Sequence, residues 1–269
     1  MPASKHLTLL SFNSVQWQWR LRRWQRNLRG LFRGNLQQAG VSVTGILIFT
    51  NLVLFTLMIA QGILAGQGPS TILNPDIRLL LHAGAQFWPK VIYEGEWWRC
   101  LTYAFAHGGI IHLGFNMVVL YQVGPLLEAE IGKARFIFLY AFTALTATAL
   151  GYFWHPMVPV VGASGSLFGL IGFSVVHYHR LGPQGLQIRN FMFQWAIFAF
   201  VFGLLVGADN AGHLGGALGG ALLGLLIPAS WRRRPLLDQF FNLLALISTA
   251  AILYSLTMLV LSWLSAGTR

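Results

Sequence analysis

Cysteine and charge are what this chain most lacks. Its single cysteine, Cys100, excludes a disulfide within the chain and leaves the redox compartment unread. Charged residues make up 9% of its 269 residues, against 55% hydrophobic ones. A soluble domain carries about 25% charge, so an ordinary water-soluble fold is excluded. The length suits one compact polytopic membrane domain. An early apolar core ending in a small-residue cleavage site is also missing from the first 40 residues, which are basic and aromatic. No cleavable signal peptide is expected. Paired intramembrane charges and inverted repeats, the marks of a transporter, are not evident either.

What is present is apolar sequence in seven stretches, at about 43–65, 106–124, 134–154, 163–179, 190–207, 211–229 and 238–264. The net charge of +11 would suit a nucleic-acid binder, but the basic residues flank these stretches. Seven precede the first, Lys133 and Arg135 follow the second, Arg180 and Arg189 the fourth, and Arg232, Arg233 and Arg234 the sixth. If the spans alternate, all fall on one side. The positive-inside rule makes that side cytoplasmic, with the N-terminus in and the C-terminus out. Between residues 15 and 33, Trp17, Leu21, Trp24, Leu28 and Phe32 recur at helical spacing among six arginines. This predicts a basic amphipathic helix on the inner membrane surface, not a nucleic-acid site.

Residues 66–105 form a connection too long to be bare, and their many aromatics predict contact with the membrane interface. Within it, Trp98-Arg99 reads as a structural anchor, with Arg99 bonding loop carbonyls and Trp98 at headgroup level. The fourth stretch is short: from Gly162 it spans about 25 Å as a helix, against a hydrocarbon core of about 30 Å. The preceding Pro156-Met157-Val158-Pro159 cannot be regular helix. Irregular backbone at membrane depth is tolerated where it is buried in protein or lines a watery cavity. Ser164 is therefore expected at a sunken helix start, where water can reach it.

Ser164 alone reads as a small packing residue, and His213 alone as a histidine bonding another helix. Together they read as nucleophile and general base. Glycines at 212, 216, 220 and 224 recur every four residues, and Gly165, Gly169 and Gly172 answer them on the fourth span. Such stripes permit a helix approach closer than the usual ~8–10 Å, bringing Ser164 and His213 into hydrogen-bond reach. Asp209 lies near enough to orient the imidazole but is expected to face water. Phe168, one turn from Ser164, is expected to stack on the imidazole instead, leaving a dyad. His112 and Asn116 share a helix face, and with the free N–H groups of Ser164 and Gly165 they form a candidate oxyanion site. The spacing of His107 and His112 would turn the two away from each other on a helix, and no carboxylate or thiol completes a ligand set. No metal and no organic cofactor are expected.

These segments, from about Trp98 to Pro228, resemble the rhomboid family of intramembrane serine proteases. The resemblance rests on Trp98-Arg99, His107, His112-Leu113-Gly114-Phe115-Asn116, Glu128 followed by Gly132, Gly162-Ala163-Ser164-Gly165, and His213 followed by Gly216 and Gly220. It implies an all-α polytopic transmembrane bundle, with a rhomboid-like six-helix core over 41–230, a basic N-terminal segment over 1–40 and an additional C-terminal helix over 231–269. It implies Ser164 as nucleophile, His213 as general base, and an oxyanion site at His112, Asn116 and the Ser164 backbone. Structural roles fall to Trp98, Arg99, His107, Glu128, Gly216 and Gly220. The family often has Tyr at the position of Phe168, whose ring stacks but offers no hydroxyl. Ala commonly stands where Gly212 does.

The expected function is a serine-type endopeptidase that cleaves transmembrane protein substrates in the lipid bilayer through an acyl-enzyme. The other reading is a non-catalytic rhomboid-like module that binds membrane proteins, and the presence of both Ser164 and His213 argues against it. A multi-pass protein of a bacterial inner membrane is the expected setting. The aromatic fifth span, with Phe191, Phe193, Trp195, Phe198, Phe200 and Phe202, reads by composition as lipid-facing. By resemblance it borders a sideways entrance to the site.

Overall fold

The structure is a computed structural model that describes residues 42–206, 208–228 and 235–266. The amphipathic segment expected at 15–33 lies outside these residues. Seven long helices appear where the seven apolar stretches were expected: α1 (Val43–Leu64), α5 (Ile110–Ile131), α6 (Lys133–Trp154), α7 (Ser164–Arg180), α8 (Leu186–Val206), α9 (Asn210–Leu226) and α10 (Pro235–Ala266). Three short ones, α2 (Ile77–His82), α3 (Trp88–Tyr93) and α4 (Arg99–Thr102), punctuate the connection after α1. The all-α bundle is as expected, and no β-strand forms among the described residues; a single antiparallel bridge joins Gln86 to Val160.

Among the described residues, four helical segments are long and apolar enough to cross a membrane: Val43–Leu64, Ile110–Ile131, Lys133–Trp154 and Leu236–Ser265. Helices α7 and α9 have only 17 residues each. They run together, with α6 packed against both and α8 packed against α7. Few of their side chains are large where they meet. Gly216 and Gly220 lie on the backbone carbonyls of Gly165 and Gly169, and Gly172 on the backbone of Ala217. Gly215 and Gly219 accommodate Thr146 of α6, while Gly169 accommodates Thr143.

The second span differs from expectation. It was expected at 106–124, but α5 starts at Ile110 and continues through Pro125 to Ile131. Gly109, at φ 124°, sets the later start. Hydropathy falls at Glu128, yet the helix persists because that carboxylate is buried and matched. Its oxygens accept from Val43 N (2.9 Å), Thr44 N (2.9 Å) and Thr44 Oγ1 (2.8 Å). Glu128 thus caps the start of α1, where free N–H groups and the helix dipole favour an anion. Gly132, at φ 83°, then reverses the chain directly into α6.

Helix α10 packs along α6 and against α4 and is fastened near both ends. Arg135 Nη2 meets Asp238 Oδ1 at 2.6 Å, and its guanidinium lies 4.8 Å from the Phe241 ring centre. At the other end, Trp263 Nε1 donates to the His82 carbonyl (2.6 Å).

Candidate active site

Ser164 is the first residue of α7, and the residue before the helix, Ala163, supplies no side-chain cap. The opening N–H groups, those of Ser164 and Gly165 among them, therefore lack intrahelical acceptors. The approach to this helix start is irregular, as the two prolines require. Val160 is held by paired backbone hydrogen bonds to Gln86 (2.9 and 2.8 Å), and Gly162 N donates to Tyr103 O (2.9 Å). Gly162 has φ 118°, a conformation natural to glycine.

His213 lies in the first turn of α9, which Asp209 caps by accepting from Gly212 N (2.8 Å). The glycine contacts of α7 and α9 bring the two helix starts side by side. His213 Nε2 lies 2.8 Å from Ser164 Oγ. With the hydroxyl donating, the imidazole proton sits on Nδ1, which is buried and has no partner among the described residues. No carboxylate therefore completes a triad there. The ring is held by packing. Phe168 stacks on it at 4.2 Å between centroids and 19° between planes, as expected from the helical spacing. Gly203 of α8 backs its edge, a residue that sequence spacing did not single out.

Asp209 was expected to face water. It is instead turned inward, spent on the α9 cap and on His155, whose Nε2 lies 2.6 Å from Asp209 Oδ1. Because His155 ends α6 and Asp209 begins α9, this pair ties together the two segments that flank Ser164 and His213. A Cβ at 212 would press on the Asp209 carboxylate, which would have to shift.

His112 and Asn116 separate in their surroundings. The imidazole of His112 packs against Gly162, two residues before Ser164, and its Nδ1 accepts from Gly108 N (3.3 Å). Asn116 Nδ2 donates to the His112 carbonyl of its own helix (2.9 Å), and its buried Oδ1 has no partner among the described residues. His107 and His112 were expected to point apart. The helix begins only at Ile110, so His107 lies in the preceding turn, and the two rings meet edge-on at 5.2 Å. No group of three His, Cys, Asp or Glu suited to a metal occurs among the described residues.

Arg99 bonds loop carbonyls as expected, through Nη1 to Leu81 O (2.7 Å) and Ala85 O (2.9 Å), and pairs with Glu96. Trp98 corrects the expectation of a headgroup anchor. It is 6% exposed and lies under the Arg99 guanidinium at 4.4 Å, while its neighbour Trp97 is 63% exposed. Cys100 is buried, which pushes its thiol up to about 11 and leaves it unreactive as a nucleophile.

A narrow cleft opens onto the Ser164–His213 pair, lined also by Gln86, Tyr103, Thr148, Val160 and Asp209. Tyr103 and Thr148 carry hydroxyls there, but Tyr103 Oη donates to Ala144 O (2.9 Å) and Thr148 Oγ1 to Leu145 O (3.0 Å). Burial holds the Tyr103 phenol far above the usual range, so it stays a donor. A hydroxyl paired with an imidazole, uncapped N–H groups beside it and a cleft above them suit acyl transfer to serine.

The profile of the Rhomboid domain family matches residues 94–230. Relatives include "Rhomboid protease GluP" of Bacillus subtilis (strain 168), 34% identical over 131 residues, covering 47% of this chain and 25% of that protein. "RHOMBOID-like protein 2" of Arabidopsis thaliana is 32% identical over 160 residues, 58% of this chain and 50% of that one. "Rhomboid-like protease 1" of Toxoplasma gondii is 31% identical over 172 residues, 61% and 58% respectively. The matched part of the chain thus spans between a quarter and somewhat over half the length of these relatives.

Proposed function

Because this chain belongs to the rhomboid family, an integral-membrane protein fold, we propose that it is a serine endopeptidase that cleaves membrane proteins in or near their transmembrane segments. The observation that carries this reading is the 2.8 Å hydrogen bond between Ser164 Oγ and His213 Nε2. In the proposed reaction, Nε2 takes the hydroxyl proton as Oγ bonds to the scissile carbonyl carbon. The oxyanion is stabilised by the uncapped N–H groups at the start of α7 and by His112 and Asn116. Collapse breaks the C–N bond, and the imidazolium returns its proton to the leaving amine. Water, activated by the same nitrogen, then hydrolyses the acyl-enzyme. Phe168 holds the imidazole plane throughout.

The substrate class follows from the setting. A peptide bond inside a helix is shielded by its own hydrogen bonding, so a substrate must unwind locally. Segments with Gly, Pro or polar residues near the cut are preferred. We further propose that the basic end of the bundle, with Arg135, Arg180 and Arg189, faces the cytoplasm of a bacterial cell. Ser164, at the opposite end of α7 from Arg180, then opens to the outer side.

The test is cleavage of a fluorogenic transmembrane peptide by protein reconstituted in liposomes. Ser164→Ala and His213→Ala are each expected to remove nearly all activity, and the double variant to lose no more, because the two act as one unit. Cleavage by either single variant at the native rate would favour the reading as a non-catalytic binding module whose preparations carry another protease.

A further inference from the structure

We propose that Gln86 is a substrate-binding residue, whose side-chain amide donates a hydrogen bond to a main-chain carbonyl oxygen of the unwound substrate beside the scissile bond. The inference rests on the peptidase reading above and adds a contact outside the 94–230 region that the family profile matches.

Three observations carry it. Gln86 is 2% exposed, and its Nε2 is buried with no hydrogen-bond partner among the described residues. The residue lines the same cleft as Ser164 and His213. Its own backbone is already satisfied, since Gln86 N donates to Val160 O and Gln86 O accepts from Val160 N. That bridge fixes Gln86 beside the strand-like approach to Ser164 and leaves its side chain as the group without a partner.

A buried amide donor left unpaired is costly and is rarely retained without an acceptor. The neighbouring polar groups of the cleft do not supply one. None of the acceptor oxygens that line the cleft, those of the Tyr103 and Thr148 hydroxyls and the Asp209 carboxylate included, makes a hydrogen bond with Gln86 Nε2. The acceptor must therefore arrive with the cleft's occupant. A locally unwound peptide brings such acceptors, because unwinding frees carbonyl oxygens that had been bonded within its helix. Pairing one with Gln86 offsets part of the unwinding cost and sets the register of the scissile bond over Ser164. A water molecule is the other source of an acceptor oxygen, and the test separates the two.

The experiment compares native protein with Gln86→Leu and Gln86→Glu in liposomes, using a fluorogenic transmembrane peptide with a central Gly-Pro. Both replacements are close in size to glutamine, and each removes the amide donor. The expected result is a loss of about tenfold in kcat/KM, carried mainly by KM. Labelling of Ser164 by a small fluorophosphonate, which has no peptide to register, is expected to keep its native rate. Thermal unfolding of Gln86→Leu should be unchanged or later, since an unpaired buried amide has been removed. Unchanged KM in both variants overturns the proposal. So does a defect confined to acyl-enzyme hydrolysis, with native acylation, which assigns the amide to the attacking water. Loss of fluorophosphonate labelling in the native protein itself would instead sink the peptidase reading.

Discussion

The Cα of Gly216 rests against the carbonyl oxygen of Gly165, so closely that a Cβ at 216 would overlap that oxygen. Gly220 stands in the same relation to Gly169 one turn further on. Gly165 follows Ser164, and Gly216 lies three residues after His213, so this contact governs how near the two side chains come. A methyl group here presses on backbone and cannot be relieved by a rotamer change. Gly216→Ala and Gly220→Ala are both expected to lower stability by ~1–3 kcal/mol, measured by thermal unfolding in detergent. Gly216→Ala should lose more activity than Gly220→Ala at similar stability. Equal activities would show that helix spacing at 216 does not control the pair.

The two side chains proposed to bind the oxyanion should not be equivalent. His112 packs on Gly162 beside Ser164, while the Asn116 amide nitrogen is committed to the His112 carbonyl. His112→Ala is expected to lower turnover more than Asn116→Ala. A lost oxyanion donor costs about 3 kcal/mol where measured, and the backbone donors of α7 should reduce that figure here. KM should change little in either variant. A selective rise in KM for Asn116→Ala would assign that residue to substrate positioning.

Glu128 is expected to matter for folding and not for chemistry. Its carboxylate accepts three hydrogen bonds at the start of α1, far from Ser164. Glu128→Ala should cost roughly 2 kcal/mol or more, since charged hydrogen bonds at a buried cap are lost together. Glu128→Gln should cost less, because one oxygen still accepts. Unfolding in detergent reports stability, and the fraction of Ser164 labelled by fluorophosphonate reports the surviving active population. Turnover per labelled molecule should remain native.

Helix α8 meets α5 through aromatic rings. Phe202 stacks on Phe115 at 4.2 Å and 11°, and Phe198 lies 5.6 Å from the same ring. Trp195 packs edge-on to Phe198 at 5.6 Å. If this seam is the side entrance that the resemblance implies, truncating a ring loosens it, because dispersion contacts are lost. Phe198→Ala and Trp195→Ala are therefore expected to alter cleavage of transmembrane peptides while leaving cleavage of short soluble peptides unchanged. Equal effects on both substrates would assign these rings to ordinary packing.

Much of the architecture was legible in the chain because lipid imposes a simple code. Apolar stretches bounded by basic residues announced all seven long helices. The stripes at 165–172 and 212–224 announced which two would approach most closely. Phe168 on the face of Ser164 followed from helical spacing, since residues four apart share a face, and its stacking on His213 followed once the two glycine-striped helices were paired. These are local or periodic signals, and they survive translation into three dimensions.

The tertiary structure decided what depends on partners distant in sequence. Hydropathy alone ended the second span before Glu128; only the N–H groups of α1, more than eighty residues earlier, make that buried charge tolerable. Spacing turned His107 away from His112 because it assumed one helix, whereas the start at Ile110 frees His107 to face it. Asp209 looked solvent-facing until His155 came to meet it. Gln86 gave no local signal at all, because its backbone bridge to Val160 and its unpaired buried amide in the cleft that Ser164 also lines appear only on folding. Helix periodicity is written along the chain, but the matching of a buried polar group is settled only by what folding brings next to it.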